Sequence, residues 1–564
     1  MSKGPRGAPG WAPALDAVPG AVALWMLAML AAVWAARWSH PFDLEWMEGG
    51  MLAHGWRLQR GLPLYPDPSA DWVPYVYPPG YSALLAASGS SLDFVVGRTL
   101  SIVGSLAAAG ALVEGVRRHG GSLTVGLLSG AVFLLTYPAS GAFFDLVRPD
   151  AIAMALAGWA IVLTVDGRKG TEVAGGLLLA AAFLVKHNLA AFGVPLALGL
   201  WAWRGWRVAL RFGLSAALPA LALTGYLQWR SGGGFLTYLL EVPGSHPMMW
   251  RRGLPGSQGE TGHWLGAALA VAGIGLAVSA PRRGSSVHPA AVWALAAVCG
   301  TGAATWAALE DPVAGAATPH VSVMALTFFA IGSSLGAGLA SLLAGVMERR
   351  FDGPWWTAAG LFWMGAVLAM MMRAHNGGFV NVLIPWHWLI CGLAGVFLGR
   401  ARRLGSQRLR NAGAVLGALV FLVQLGELYT LTHLDRMAPT EADVEAGEHL
   451  LQAMEEHCEG PVFSPYAAWL PVQVGQPPSP HLIAIWDIDH KNGPLHQHMG
   501  AFTRATKEHH YACVVDASRS ASRPIGYGVQ KHYEKVKGFR GRGPTPKTGW
   551  RIRPHTLYVP KETP

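Results

Sequence analysis

Charge is what this 564-residue sequence has least of: Asp, Glu, Lys and Arg together make up 13% of it, against about 25% in soluble globular proteins. That shortage excludes a disordered chain and argues against an ordinary soluble enzyme. Several motifs are absent as well. There is no Walker motif, no dinucleotide fingerprint and no His-Glu-x-x-His, so nucleotide hydrolysis and zinc-peptidase chemistry have no support. No internal repeat of the solenoid kind is visible. No A-x-A-like cleavage site follows the first apolar block, which is preceded by Lys3 and Arg6, so that block reads as a retained helix and not a signal peptide.

What is present is hydrophobic residue, 52% of the chain, in blocks that recur up to about Leu431. A bilayer core requires about 20 apolar residues per helix, because backbone groups cannot stay unpaired in hydrocarbon. Blocks meeting or approaching that length run at 18–38, 98–116, 123–140, 151–165, 173–185, 189–203 and 208–227. They continue at 263–280, 287–309, 321–347, 355–372, 380–398 and 412–431. The expectation is an α-helical polytopic membrane protein of about 13 spans, with a body at 1–434 and a small C-terminal α/β domain at 435–564.

Orientation follows from the connections, since Lys and Arg collect on the cytoplasmic side. With the N-terminus cytoplasmic, sixteen Lys or Arg fall in cytoplasmic turns, from Arg117-Arg118 through Arg408 and Arg410, and only Arg148, Lys186 and Arg373 fall in the opposite short turns. An odd number of spans puts everything after Leu431 outside. The expected arrangement is thus a cytoplasmic N-terminus with the C-terminal domain extracytoplasmic. Reading 173–203 as one helix would flip the later loops, so a hairpin interrupted by Lys186-His187-Asn188 is preferred.

Two outer loops are too long for turns, at about 39–93 and 228–262. In the first, Met47, Met51, Leu52 and Leu58 recur at helical spacing, as in a helix lying at the interface. The second mixes Tyr238, Trp250, Arg251 and Arg252 in the same interfacial manner. Glycine pairs Gly126/Gly130 and Gly332/Gly336 read as helix-packing contacts. In the C-terminal domain a helix is expected over 441–457 and short strands over 461–463, 481–485 and 511–515.

Four clusters carry candidate chemistry. Asp43, Glu45 and Glu48 open the first outer loop directly after a span, where low dielectric raises carboxylate pKa values. They read as a general base or metal ligand, or else as a solvated, helix-capping loop. In Asp145-Leu146-Val147-Arg148-Pro149-Asp150, Arg148 either serves a ligand or pairs with Asp145, and Asp150 either serves it or caps a helix. Lys186-His187-Asn188 lies within a membrane hairpin, where ionisable groups need a polar cavity, a partner or a route to the interface. Arg373 through Asn381 is a glycine-rich turn that either cradles a phosphate or only joins helices. All four fall on one side under one topology, and carboxylates with Lys and Arg suit deprotonation of a hydroxyl while a phosphate departs.

These residues resemble the GT-C superfamily of integral membrane glycosyltransferases, in particular the bacterial relatives of protein O-mannosyltransferases and aminoarabinose transferases. The resemblance is carried by Asp43 to Gly50, by Leu64-Tyr65 with Tyr77-Pro78-Pro79-Gly80-Tyr81, by Arg148-Pro149-Asp150, by the Lys186 region, and by Gly377-Gly378 with Asn381. It implies transfer of a sugar from a polyprenyl-phosphate donor to a glycan, lipid or protein acceptor at the outer face, with inversion. The superfamily's Asp-Glu pair appears here as Met47-Glu48, so Glu48 carries over directly and Glu45 or Asp43 substitutes for the missing aspartate. Arg148, Lys186 and Arg373 are the candidates for the donor phosphate, with Asp150, His187, Asn381 and Tyr77 completing the binding set. Metal dependence varies in the superfamily; a divalent metal is compatible with it, but no residue set here requires one.

Two rival readings share many of these features: a transporter or flippase of lipid-linked glycans, and a non-catalytic assembly protein of the same fold. Long acid-rich loops favour the enzyme, since transporters more often show inverted repeats and broken helices. Asp487-Ile488-Asp489 reads as a chance Asp-x-Asp, and His481, His490, His496, His498, His509 and His510 read as surface histidines. Of the 4 Cys, Cys299 and Cys391 fall in helices, while Cys458 and Cys513 can pair in an oxidising compartment. The net charge of +10 is concentrated between Arg519 and Arg553, where ten Lys or Arg meet the single acid Glu534. It points to anionic lipid or a solvated extension, and not to nucleic acid.

Overall fold

The computed structural model describes residues 12–280, 289–309, 321–348, 351–431, 433–517, 526–536 and 543–561. Each apolar block becomes a helix. The first seven are Ala12–Trp38, Phe94–Gly120, Leu123–Leu135, Asp150–Val165, Thr171–Val185, Gly193–Arg204 and Trp206–Arg230. The remaining six are Ser257–Ser279, Pro289–Leu309, Val321–Glu348, Gly353–Ala374, Ile384–Ala401 and Gln407–Leu431. Among the described residues nine are long and apolar enough to cross a membrane, and the chain is a multi-pass membrane protein.

The other four are shorter than a full span. Leu123–Leu135, Asp150–Val165 and Thr171–Val185 are shorter apolar helices, and Gly193–Arg204 has 12 residues. A helix of 15 residues rises about 22 Å, well under the roughly 30 Å of a hydrocarbon core. At one end these helices are joined by tight turns; at the other, Leu135, Asp150 and Val185 give way to irregular backbone. That backbone is buried in protein, as irregular chain at membrane depth must be: Thr136, Tyr137 and Phe143 to Arg148 are all enclosed. The result is a layer of buried irregular chain at one end of the bundle.

The glycine pairs do pack helices. A side chain on Gly332 would meet the Cys299 carbonyl at 2.5 Å, one on Gly336 the Leu295 carbonyl at 2.4 Å, and one on Gly126 the Val113 carbonyl at 2.8 Å. In the first long loop the helical spacing is real, as Glu48–Gln59, but its setting differs from the interfacial one expected. Glu48 to Gly55 are buried, because the C-terminal domain sits on this helix: His481 Nε2 donates to the Trp46 carbonyl at 2.8 Å.

The C-terminal domain begins with the helix Glu441–His457, closed by a Thr440/Asp443 capping box. A four-stranded sheet follows, of strands β1 (Val462–Phe463), β2 (Cys513–Asp516), β3 (Tyr533–Lys535) and β4 (Thr556–Pro560), in the order β1-β2-β4-β3. β1 and β2 are parallel, and β4 runs antiparallel to both β2 and β3. Cys458 and Cys513 form a disulfide across 55 residues. The expected strand over 481–485 is instead the start of the helix Leu482–Ile488, because the His481 side chain caps it by accepting the Ile483 N–H.

The basic stretch is also not simply an extension. Arg519, Arg523, Lys537, Arg540 and Arg542 lie outside the described residues, but the rest supplies β3 and returns to the first loop. Lys547 and Thr548 donate their backbone N–H groups to the Leu44 carbonyl at 2.8 and 3.1 Å. Thr548 forms a parallel bridge with Glu45, and Lys547 pairs with Asp443 at 2.5 Å.

Candidate functional site

That buried layer is framed by two arginines that carry backbone. Arg98 donates to the carbonyls of Arg37, His40 and Phe42 at 3.0, 2.5 and 2.7 Å, and to both oxygens of Glu48 at 3.1 and 2.9 Å. Arg37 binds both oxygens of Asp145 at 2.6 and 3.1 Å, and the Tyr137 hydroxyl donates to the same carboxylate at 3.0 Å. The alternative pairing of Arg148 with Asp145 is therefore not the one adopted. Neither Arg37 nor Arg98 was among the sequence candidates; the available signal was an arginine at the end or within an apolar helix.

This framework uses up Glu48. Its oxygens accept Leu44 N–H at 2.7 Å and Val147 N–H at 2.8 Å besides Arg98, and these bonds hold its carboxyl below the usual range despite burial. A carboxylate so occupied, with bonds to both of its oxygens, fastens the first loop to the 136–149 segment. Asp43 is likewise turned inward, accepting Gly49 N–H at 2.6 Å, and burial raises its pKa.

Glu45 is differently placed. Its Oε2 takes only long bonds, from Met47 N–H at 3.3 Å and Arg148 at 3.5 Å. Burial pushes its pKa up to about 7, against the opposing pull of Arg148. Gly549 lies directly on this carboxylate: it has φ +66, and a side chain there would come within 2.9 Å of Oε1.

Arg148 links Glu45 to the rest. It also donates to the Tyr77 hydroxyl and the Met47 sulfur, both at 3.0 Å, and stands over the rings of Tyr77 and Phe143. Two residues on, Asp150 opens the helix Asp150–Val165. Its Oδ1 accepts Lys186 Nζ at 2.5 Å and Asn381 Nδ2 at 2.9 Å. Lys186 sits where the helix Thr171–Val185 breaks, with φ −152 and ψ 99. Gly80 backs that break, since any side chain on it would collide with the Leu184 carbonyl at 2.5 Å; this gives the Pro78-Pro79-Gly80 motif a physical reason.

Tyr77, Glu45, Arg148, Asp150, Lys186 and Asn381 are thus brought together, with His187 next in the chain. Four buried polar atoms in this group have no partner: Arg148 Nε, Asp150 Oδ2, His187 Nδ1 and Asn188 Oδ1. Unpaired buried polar atoms are costly, by about 1–3 kcal/mol each, so each of these four calls for a polar partner such as water or a ligand. Arg373 is not part of it. Its guanidinium is taken by Glu260 at 2.6 and 2.8 Å and by the Gly378 carbonyl at 2.6 Å, so it braces the glycine-rich turn that presents Asn381.

Among the described residues no group of three or more His, Cys, Asp or Glu is arranged to hold a metal ion, and no step is derived through one. Of the C-terminal histidines, His481 is buried and not a surface residue. A cavity of about 610 Å³ lies at the opposite end of the helices, lined by Leu112, Trp203, Trp355 and Arg400 among others, and contains none of the clustered residues.

A helical membrane body, a long first loop folded over a buried charged cluster and an α/β domain resting on that loop make up the architecture. Among solved structures the chain is similar to ArnT from Cupriavidus metallidurans bound to undecaprenyl phosphate, with a TM-score of 0.51 and 12% identity over 96% of this chain and 98% of that one. The apo state of the same protein gives a TM-score of 0.50 and 12% identity over 95% and 97%. No family model and no curated protein sequence matches the chain. At this identity the likeness establishes the fold.

Proposed function

We propose that this protein is a glycosyltransferase that moves a sugar from a polyprenyl-phosphate carrier to a hydroxyl acceptor at the outer face of a bacterial cytoplasmic membrane. The observation that carries the reading is the buried charged cluster: Arg148 and Lys186, both buried, stand beside unpaired polar atoms, and Arg148 reaches Glu45. The ArnT structure of the same architecture holds undecaprenyl phosphate, which supports a lipid-linked donor here. The charge asymmetry of the short turns supports the outer face and a cytoplasmic N-terminus.

In this reading Glu45 takes the proton of the acceptor hydroxyl, and the resulting oxygen attacks the anomeric carbon from the face opposite the phosphate. The bond from that carbon to the phosphate oxygen breaks, with inversion, and the departing polyprenyl phosphate keeps the electron pair. Arg148 and Lys186 hold the phosphate charge, which is the work such cations do best in a water-poor site. Asp150 and Asn381 orient Lys186, and Tyr77 orients Arg148. Glu48 serves by fixing the loop and not as the base.

The test is transfer by the protein in lipid nanodiscs supplied with a radiolabelled polyprenyl-phosphate sugar. Loss of transfer in Glu45→Gln, with donor binding retained, supports the assignment. Full activity in that variant overturns the base, and movement of intact lipid without sugar transfer overturns the function.

A further inference from the structure

Trp46, Trp486 and Trp550 come from three distant stretches of chain and meet at one place. Trp46 and Trp550 meet edge to face with ring centres 4.9 Å apart and an interplanar angle of 87°. Trp486 and Trp550 lie 5.4 Å apart at 35°, and Trp46 and Trp486 are 6.1 Å apart. Trp46 is the buried base of the group at 6% exposure, held by the bond from His481 to its carbonyl. Trp486 and Trp550 remain 41% and 44% exposed. Indoles usually bury that surface against the core; here each is fixed by another ring and still presents part of itself to the outside.

The place matters as much as the exposure. Trp46 follows Glu45 in the chain, and Trp550 follows Gly549, which lies on the Glu45 carboxylate. We infer that Trp46, Trp486 and Trp550 form a stacking platform for a sugar ring, and that the acceptor of this protein is a saccharide whose hydroxyl the platform presents towards Glu45. The inference rests on the transfer reading above and names its acceptor class.

The chemistry favours that ligand over the other acceptors. A pyranose offers one face of C–H bonds, weakly positive, to the negative face of an indole, and its hydroxyls need polar neighbours around the rings. Exposed Arg551 follows Trp550, and Asp489, 43% exposed, lies one turn beyond Trp486. A peptide acceptor would need an open strand edge or a deep pocket, and a lipid chain would need a continuous apolar groove. Tryptophans that anchor a protein at the membrane surface are the competing account of exposed indoles.

The experiment uses the full chain in nanodiscs and follows its tryptophan fluorescence on addition of maltohexaose, cellohexaose, mannohexaose, chitohexaose and a galactose hexamer. A saturable change with at least one of these is expected. It should weaken about tenfold in Trp550→Ala and in Trp486→Ala and return to within about threefold in Trp550→Phe, the scale of one stacked ring. No saturable change with any of the five, or equal responses in the alanine variants, overturns the platform. So does quenching of Trp550 and Trp486 by brominated lipids, which would put the rings in the bilayer. With a saccharide identified, Trp550→Ala should raise its KM about tenfold with a far smaller change in kcat. Saccharide binding at Trp550 without any transfer sinks the transfer reading and leaves the platform; transfer with an unchanged acceptor KM does the reverse.

Discussion

Glu45 and Glu48 lie three residues apart, on either side of the start of the helix Glu48–Gln59, and have opposite fates. Glu48 accepts bonds from Arg98 and two backbone N–H groups, while Glu45 has two long contacts and a pKa of about 7. A base must be ionised, so transfer should climb as pH rises through about 7 and level off above it. The pH profile of kcat/KM checks this, and a flat profile between pH 5 and 9 removes Glu45 from the role. Glu48→Gln should act on folding, because it leaves Arg98 buried without its counter-charge, at a cost of about 3–5 kcal/mol. The measurement is thermal unfolding by size-exclusion survival; an unchanged melting point would show that the pair is not structural. Resemblance pointed to Glu48 because it looks at sequence position, and position does not tell which acid an arginine from another helix will occupy.

At the scale of elements, much was legible. Long apolar blocks became helices where expected, since 20 consecutive apolar residues have few alternatives in a bilayer. The Lys186 break was visible as a charge within an apolar hairpin. Less visible were the shortness of four helices and the partners of Arg373, which depend on residues far away in the chain, and the helical fate of Leu482–Ile488, which a side-chain cap from His481 decides. The contact between His481 and the first loop has a consequence in pH. His481 accepts Ile483 N–H through Nδ1 and donates to the Trp46 carbonyl through Nε2, so it is neutral. His54 is fixed as neutral in the same way, accepting Tyr75 N–H at Nε2 and donating to the Gly50 carbonyl from Nδ1. Burial holds them down to about 3 and about 4, from an ordinary 6.5. Below pH 6.5 the unfolded chain binds protons that the folded chain refuses, so stability present above that value falls as pH drops towards 4. Differential scanning fluorimetry from pH 8 to 4 should show a falling melting point, with a shallower slope in His481→Gln; parallel slopes would refute the link.

At the scale of the molecule, the C-terminal domain is stapled within itself and sewn to the body. The bond from Cys458 to Cys513 joins the end of the helix Glu441–His457 to β2. Closing a loop of 55 residues stabilises the domain by about 4 kcal/mol on the chain-entropy argument. Cys458→Ser with Cys513→Ser should therefore sharply increase proteolysis of the domain while the membrane body stays intact; equal protease resistance would show that the bond contributes little. The same domain brings Thr548 alongside Glu45 and Gly549 onto its carboxylate. Glu45 precedes all but the first helix of the body in the chain, and its cover follows them all. A ribosome-bound chain with each of those helices inserted still lacks that cover, and proteolytic loss of the segment holding Thr548 and Gly549 would uncover the carboxylate without touching a single membrane span.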